Sequence, residues 1–170
     1  EFIKNIDLVK KYFKNDEALT ESGTDISRTH ENLQSDYVSE IDYGPSLNQS
    51  NIINVPPVHD RGYNGEEVLI ASLDAGFDNL QHPCFGLIRS KGLRTYDFVN
   101  GDTIVADGPG RIGYGKHGTL TLSLVCGFEL GYLVSPAFNS KFILAKTEID
   151  GIEIRSEEDN WIAAAEWADS

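Results

Sequence analysis

The sequence predicts an α/β fold with a parallel β-sheet. Residues 68–73 form a nearly all-apolar run that is too short for a helix, as expected for a strand covered on both faces of such a sheet. Residues 93–99 and 141–146 are further strand candidates, and helical patterns begin at His117 and near Ser156. Strands and helices in this order favour a right-handed parallel layer.

The first predicted strand ends on a carboxylate. Asp74 follows residues 68–73 directly, and it is therefore expected at the carboxyl end of a central strand, where α/β folds place their chemistry. Gly76 allows a sharp turn or the close approach of a ligand. Taken alone, however, an aspartate in this position is more often an ordinary turn residue.

A helix is predicted to begin at His117, after a glycine-rich loop at residues 101–116. Residues 120–125 are almost wholly apolar or small, so we expect this helix to be central and buried. Gly127 is a plausible end of the helix. A shorter helix is expected within residues 52–61, packed beside the first strand.

The last helix is predicted to open with a capping box at Ser156-Glu157-Glu158-Asp159. An amphipathic pattern follows the box. Its buried stripe is expected to consist of Trp161, Ile162, Ala165 and Ala168.

Composition limits the classes of function. The 170 residues carry a formal net charge of −13, which argues against nucleic acid and anionic membranes as partners because both would be repelled. The sequence has no stretch of 18 apolar residues, so no membrane span is predicted. Cys84 and Cys126 do not have metal-ligand spacing, and two inert, partly buried thiols are favoured over a single disulfide bridge.

The N-terminal part differs in composition from the rest. Residues 1–14 have apolar residues at near-helical spacing, whereas residues 15–50 are polar, which is typical of an extended connector. We therefore divide the chain into residues 1–45, a polar connector, and a domain at residues 46–170.

Two separated motifs give the chain a resemblance to a known family. Asp74 followed by Gly76, and then His117-Gly118-Thr119, resemble the first two catalytic motifs of the subtilisin-like serine peptidases, the subtilases. The resemblance covers residues 43–170 and is closest to subtilases of the Bacteroidetes type. It rests further on matching flanking positions, which are Pro56, His59, Gly62, Tyr63, Gly65 and the run Glu166-Trp167-Ala168.

The resemblance implies a subtilisin-like layer fold, of which this chain holds about the first half of the catalytic domain, with the tail of a pro-segment in residues 1–45. It also implies an endopeptidase that hydrolyses peptide bonds through an Asp-His-Ser triad, with Asp74 as the orienting carboxylate and His117 as the general base. No cofactor is expected. The partners would be a peptide or protein substrate and the C-terminal remainder of the domain, in a secreted, periplasmic or extracellular location.

The nucleophile that the resemblance requires is missing from the sequence. Ser123 lies within the predicted helix and Ser170 is the last residue, so neither has the setting of a catalytic serine. We expect the 170-residue chain alone to be inactive and to expose apolar surface. A non-catalytic interaction module that keeps the half-fold is the alternative.

Other polar residues are given structural roles. His59 and His82 are expected to pack or to stabilise a turn, and Cys84 stands where many subtilisins have a calcium-ligating aspartate, so no calcium is expected there. A metal site around Asp74, Asp78 and His82 is a minor alternative, because its ligand spacing is poor.

A substrate-binding segment is also implied by the resemblance. The segment before the last helix, residues 152–156, would pair with the substrate backbone as an added strand, with Ile154, Arg155 and Ser156 as contact residues. A plain surface loop before a capped helix is an equal alternative.

Overall fold

The structure is a computed structural model that describes residues 38–113, 116–151 and 154–170. The near-helical pattern of residues 1–14 and most of the predicted connector lie outside these residues. The division into residues 1–45 and 46–170 therefore stays a prediction.

Ten helices and strands follow one another in the described part of the chain. In chain order they are α1 (Leu47–Ile52), α2 (Pro56–His59), β1 (Leu69–Asp74), α3 (Gly86–Ser90), β2 (Leu93–Asp97), α4 (Lys116–Cys126), β3 (Phe128–Glu129), β4 (Leu133–Val134), β5 (Lys141–Lys146) and α5 (Ser156–Asp169). Two 3₁₀ turns, Gly44–Ser46 and Pro83–Phe85, precede α1 and α3.

The predicted α/β fold with a parallel sheet is confirmed. Strands β1, β5 and β2 form a three-stranded sheet in that order, and both pairings are parallel. The register places Asp74 and Asp97 on either side of Lys146, so the carboxyl ends of the three strands meet at one edge. A short antiparallel ribbon of β3 and β4 lies apart from this sheet.

Strand β1 does not occupy the central position that the sequence predicted. In the described sheet β5 is central, and β1 lies at an edge with alternating exposure that leaves Leu69 58% exposed. An apolar run cannot distinguish these positions, because the order of strands depends on which distant segments pair. The strand with five consecutive buried residues is β5.

Helices α4 and α5 cover opposite faces of the sheet. Phe142 and Leu144 of β5 belong to the main core cluster, together with Leu122 of α4. Because side chains alternate along a strand, Ala145 faces the other side. There its register partner Tyr96 packs against Trp167 of α5.

The expectation that α4 is central and buried is correct for one face of the helix and wrong for the other. Leu122 is 1% exposed and packs into the core, whereas Leu120 and Leu124 are 65% and 68% exposed. The predicted extent of the helix agrees closely with the observed one, Lys116–Cys126. Only one face of the helix therefore contacts the rest of the described chain.

The predicted details of α5 also need correction. Trp161 and Ile162 are 57% and 53% exposed, and the fully buried residue of the helix is Ala164. Ser156 is the first helical residue, and Arg155 occupies the cap position without a side-chain cap bond. The capping box expected at Ser156–Asp159 is therefore not the observed arrangement, and the carboxylate of Glu157 instead accepts hydrogen bonds from the N–H groups of Ile149 and Ile154.

A buried ion-pair network fixes the loop that leads to α4. The Lys146 ammonium is fully buried and contacts the carboxylates of Asp97 and Asp107. Arg111 bridges Asp97 and Asp102 at 2.8 Å each, and its guanidinium lowers the pKa of Asp102 to about 2. The network therefore connects the ends of β2 and β5 to the loop at residues 101–113.

A second core cluster lies around His59. Tyr43, Val55, Val134 and Phe138 form it. The His59 ring is 5% exposed, with Nδ1 bonded to the Tyr43 hydroxyl and Nε2 to the Pro136 carbonyl. His59 therefore has the packing role expected of it.

Candidate functional site

Asp74 is held rigidly where β1 ends. The residue is 6% exposed, and its carbonyl accepts a hydrogen bond from the N–H of Thr147 at 3.0 Å. Its carboxylate Oδ1 accepts a second bond from the N–H of Ala75 at 2.7 Å. Both contacts come from the backbone, and they anchor the main chain of Asp74 and one oxygen of its carboxylate.

His117 meets this carboxylate from 43 positions away. The ring nitrogen Nδ1 lies 2.8 Å from Asp74 Oδ1, within the distance expected of a hydrogen bond. The imidazole is the second residue of α4 and is 60% exposed at its side chain. The structure thus brings the two sequence-predicted residues together, with the imidazole open to solvent.

Gly118 permits the helix to lie this close to the strand. A Cβ at this position would lie 2.3 Å from the carbonyl oxygen of Gly76 and 3.0 Å from Asp74 Oδ1. Any side chain would therefore push the start of α4 away from Asp74. The close contact between α4 and β1 therefore explains why the His117-Gly118-Thr119 motif has a glycine at position 118.

Thr121 is a site residue that the sequence reading missed. Its hydroxyl donates to Asp74 Oδ2 at 2.9 Å. Four positions after His117, it lies on the same face of α4, because residues i and i+4 of a helix are neighbours. The spacing of four residues from His117 was the feature of the sequence that could have identified Thr121.

The electrostatics of the site favour the charged imidazole. The hydrogen bond to Asp74 is the main reason that the pKa of His117 is raised, followed by the negative charge of Asp74 itself. Glu148 and Asp150 raise the pKa further, while desolvation opposes the shift. Three carboxylates therefore act on one exposed imidazole.

One group of described residues brings three possible metal ligands close together. One ligand atom each of Asp74, His117 and Glu148 lies within 4.8 Å of the others, but neither His117 nor Glu148 is buried, and exposed acidic groups are common without a metal ion. Asp78 and His82 do not belong to this group, so the metal site considered around Asp74, Asp78 and His82 is wrong. Asp78 instead accepts a hydrogen bond from the N–H of Asp107.

The predicted substrate segment is described only in part. Ile154, Arg155 and Ser156 are exposed, whereas residues 152 and 153 lie outside the described residues. The three contact residues form a turn and the start of α5, not a strand. Their role in binding a substrate stays a prediction.

The remaining candidates have structural roles. His82 caps the turn Pro83–Phe85 through a hydrogen bond from the N–H of Cys84. Cys84 and Cys126 are free and buried, as favoured from the sequence. Burial raises the pKa of the Cys126 thiol to about 12, so this group is a poor nucleophile.

Comparison with known proteins gives limited information. No family model matches the chain, and no curated protein matches it. A solved structure of the Aeromonas sobria serine protease in complex with the chaperone ORF2 shares 18% sequence identity, with a TM-score of 0.49. The alignment covers 65% of this chain and 17% of that one. A likeness at this level supports no conclusion about activity.

No described helix is long and apolar enough to cross a membrane.

Proposed function

We propose that this chain carries the carboxylate and the imidazole of an Asp-His-Ser triad in a subtilisin-like serine endopeptidase. The hydrogen bond between Asp74 Oδ1 and His117 Nδ1, at 2.8 Å, carries the proposal. It joins two motifs of the resemblance in the order that subtilisin has, with the aspartate before the histidine. The nucleophilic serine would lie in polypeptide outside these 170 residues.

The proposed triad gives a role to each atom of the pair. With Nδ1–H donating to Asp74, the neutral imidazole has its lone pair on Nε2, where a serine hydroxyl can give up its proton. The hydroxyl oxygen then attacks the peptide carbonyl, and the imidazolium returns the proton to the leaving amine. Asp74 stabilises the imidazolium between these two steps and remains ionised.

The partner that supplies the serine would approach along the exposed side of α4. His117, Leu120 and Leu124 are all exposed. Leu120 follows His117 by three residues and Leu124 follows it by seven, so the three side chains lie on one face of the helix. An apolar face next to an open imidazole suits a second polypeptide segment that packs on the helix and presents its hydroxyl to Nε2. We propose a peptide or protein substrate and a secreted, periplasmic or extracellular location on the resemblance alone.

The same exposed face supports a second function. Leu120, Leu124 and Val125 would also serve a non-catalytic module that binds another protein through α4. Such a module would not need the Asp74–His117 hydrogen bond. The two functions therefore differ in how they depend on His117.

A fluorophosphonate probe tests the proposal, because it labels activated serines. The probe is applied to the polypeptide encoded by the natural reading frame that contains these residues, and to the 170-residue chain. We expect labelling of the former at a serine outside residues 1–170, no labelling of the latter, and loss of labelling with His117→Ala. The proposed triad would be contradicted if the probe did not label the natural polypeptide. It would also be contradicted if the His117→Ala variant were still labelled.

A further inference from the structure

The two oxygens of the Asp74 carboxylate have different partners. Oδ1 accepts from the N–H of Ala75 at 2.7 Å and contacts His117 Nδ1 at 2.8 Å. Oδ2 accepts from the hydroxyl of Thr121 at 2.9 Å. In the described part of the chain, Thr121 is thus the donor that the structure shows for the oxygen turned away from the imidazole.

The Thr121 hydroxyl has a choice of acceptors. The carbonyl of Gly118, three residues back on α4, lies 3.2 Å from it. A hydroxyl has one proton to donate, and a bond to a carboxylate is stronger than one to a neutral carbonyl. The shorter distance to Asp74 Oδ2 agrees with the carboxylate as the acceptor.

A side-chain carboxylate turns easily about its last bond, because this torsion has broad energy minima. The bond from Ala75 holds Oδ1 from one side only, so it does not fix the plane of the group. A donor at Oδ2 supplies the second point of attachment. Because α4 carries both His117 and Thr121, one helix then holds the imidazole and orients its acceptor.

We propose that Thr121 is a positioning residue for Asp74, whose hydroxyl fixes the carboxylate plane so that Oδ1 faces His117 Nδ1. The residue touches no reacting atom, and it acts through Asp74. Its part in catalysis rests on the proposed function, whereas its effect on the Asp74–His117 pair does not. The pair is therefore the first readout.

The experiment follows the His117 ring by NMR in the 170-residue chain. The chain has four histidines, so the spectrum contains few ring signals. The signal that disappears in His117→Ala is assigned to the His117 ring. Two quantities are measured: the pKa of His117, and its tautomer from the ring nitrogen shifts. Wild type is expected to show a raised pKa and the Nδ1–H tautomer, and Asp74→Asn should abolish both.

Thr121→Val keeps the shape of the side chain and removes the hydroxyl. We expect the pKa of His117 to fall toward its ordinary value and the preference for the Nδ1–H tautomer to weaken. Thr121→Ser restores a hydroxyl and should restore both properties. Thr121→Ala is a second hydroxyl-free variant, so the result does not depend on how well valine fits.

Ser123→Ala is the matched control. The Ser123 hydroxyl donates to the carbonyl of Leu120, three residues back on the same helix, and the variant removes it without touching Asp74. Wild-type values are expected. A folded Thr121→Val or Thr121→Ala chain with the wild-type pKa and tautomer would overturn the proposal, as would a serine variant that fails to restore them.

The same variants in the natural full-length product separate this inference from the proposed function. Loss of the hydroxyl should lower kcat with KM little changed, since Thr121 acts through Asp74 and not through substrate binding. If the full-length product has no peptidase activity, the proposed function fails, while the NMR result still decides the role of Thr121.

Discussion

Two further carboxylates act on the imidazole of His117. Glu148 and Asp150 raise its pKa through their negative charge. Glu148→Gln should therefore lower this pKa, and NMR titration of the ring measures the change. Glu158→Gln, on the exposed surface of α5, is the control and should leave the pKa unchanged. A pKa of His117 that does not fall in Glu148→Gln would contradict the assigned electrostatics.

In the proposed peptidase, His117 would act as the base, and a base works when neutral. The activity of that enzyme should therefore be lost as the pH falls through the raised pKa of His117. Glu148→Gln should thus extend activity to lower pH. For stability the dependence is opposite: the Asp74–His117 pairing stabilises fully below about pH 6.5, the ordinary pKa of histidine, and this contribution fades as the pH rises through the folded pKa.

Sequence reasoning found the residues whose chemistry has a recognisable motif. Asp74 and His117 were identified from separated motifs, and the structure places them in contact. Thr121 and Lys146 were not identified, because their importance depends on what lies next to them. A lysine at the end of an apolar strand looks exposed, and only the fold shows that Asp97 and Asp107 surround it.

At the scale of elements, the contact between α4 and β1 depends on Gly118. Gly118→Ala should improve helix propensity by up to about 1 kcal/mol, but the added Cβ would lie 2.3 Å from a backbone oxygen. Overpacking of this kind costs about 1–3 kcal/mol, so we expect a net loss of stability in urea unfolding. The pKa of His117 should also fall as the helix moves away from Asp74.

Gly86→Ala is the matched control for this substitution. Gly86 is also helical, and a Cβ there would meet only the end of the Arg89 side chain at 3.9 Å. The variant should be neutral or slightly stabilising and leave His117 unaffected. Equal behaviour of the two alanine variants would show that the close approach at Gly118 is not limiting.

The sequence predicted the ends of the helices and strands better than it predicted which of their side chains are buried. The apolar runs located β5 at residues 141–146, and the end of α4 fell one residue before Gly127. The stripe of α5 was misassigned because Trp161 and Ile162 are the large apolar residues, whereas the contact surface is built on Ala164. A small residue at the point of closest approach gives a weak hydrophobic pattern, although it determines which side of the helix is buried.

At the scale of the whole molecule, the described domain exposes more apolar surface on α4 than the sequence predicted. The apolar composition of residues 120–125 led to the expectation of a buried helix, and a single chain cannot reveal which contacts come from outside it. Within the described residues, the face with Leu122 and Cys126 is covered and the face with Leu120 and Leu124 is open. This surface is a liability for self-association.

Replacing the exposed leucines of α4 with polar residues should therefore change solubility rather than stability. In the 170-residue chain, Leu120→Gln together with Leu124→Gln removes two side chains that are 65% and 68% exposed. We expect a larger monomer fraction by size-exclusion chromatography with light scattering, and a free energy of unfolding within about 0.5 kcal/mol per site of wild type. Leu122→Ala, on the buried face of the same helix, should instead cost about 2–5 kcal/mol. A double variant that self-associates like wild type, or that unfolds as easily as Leu122→Ala, would show that this face is not an open surface in solution.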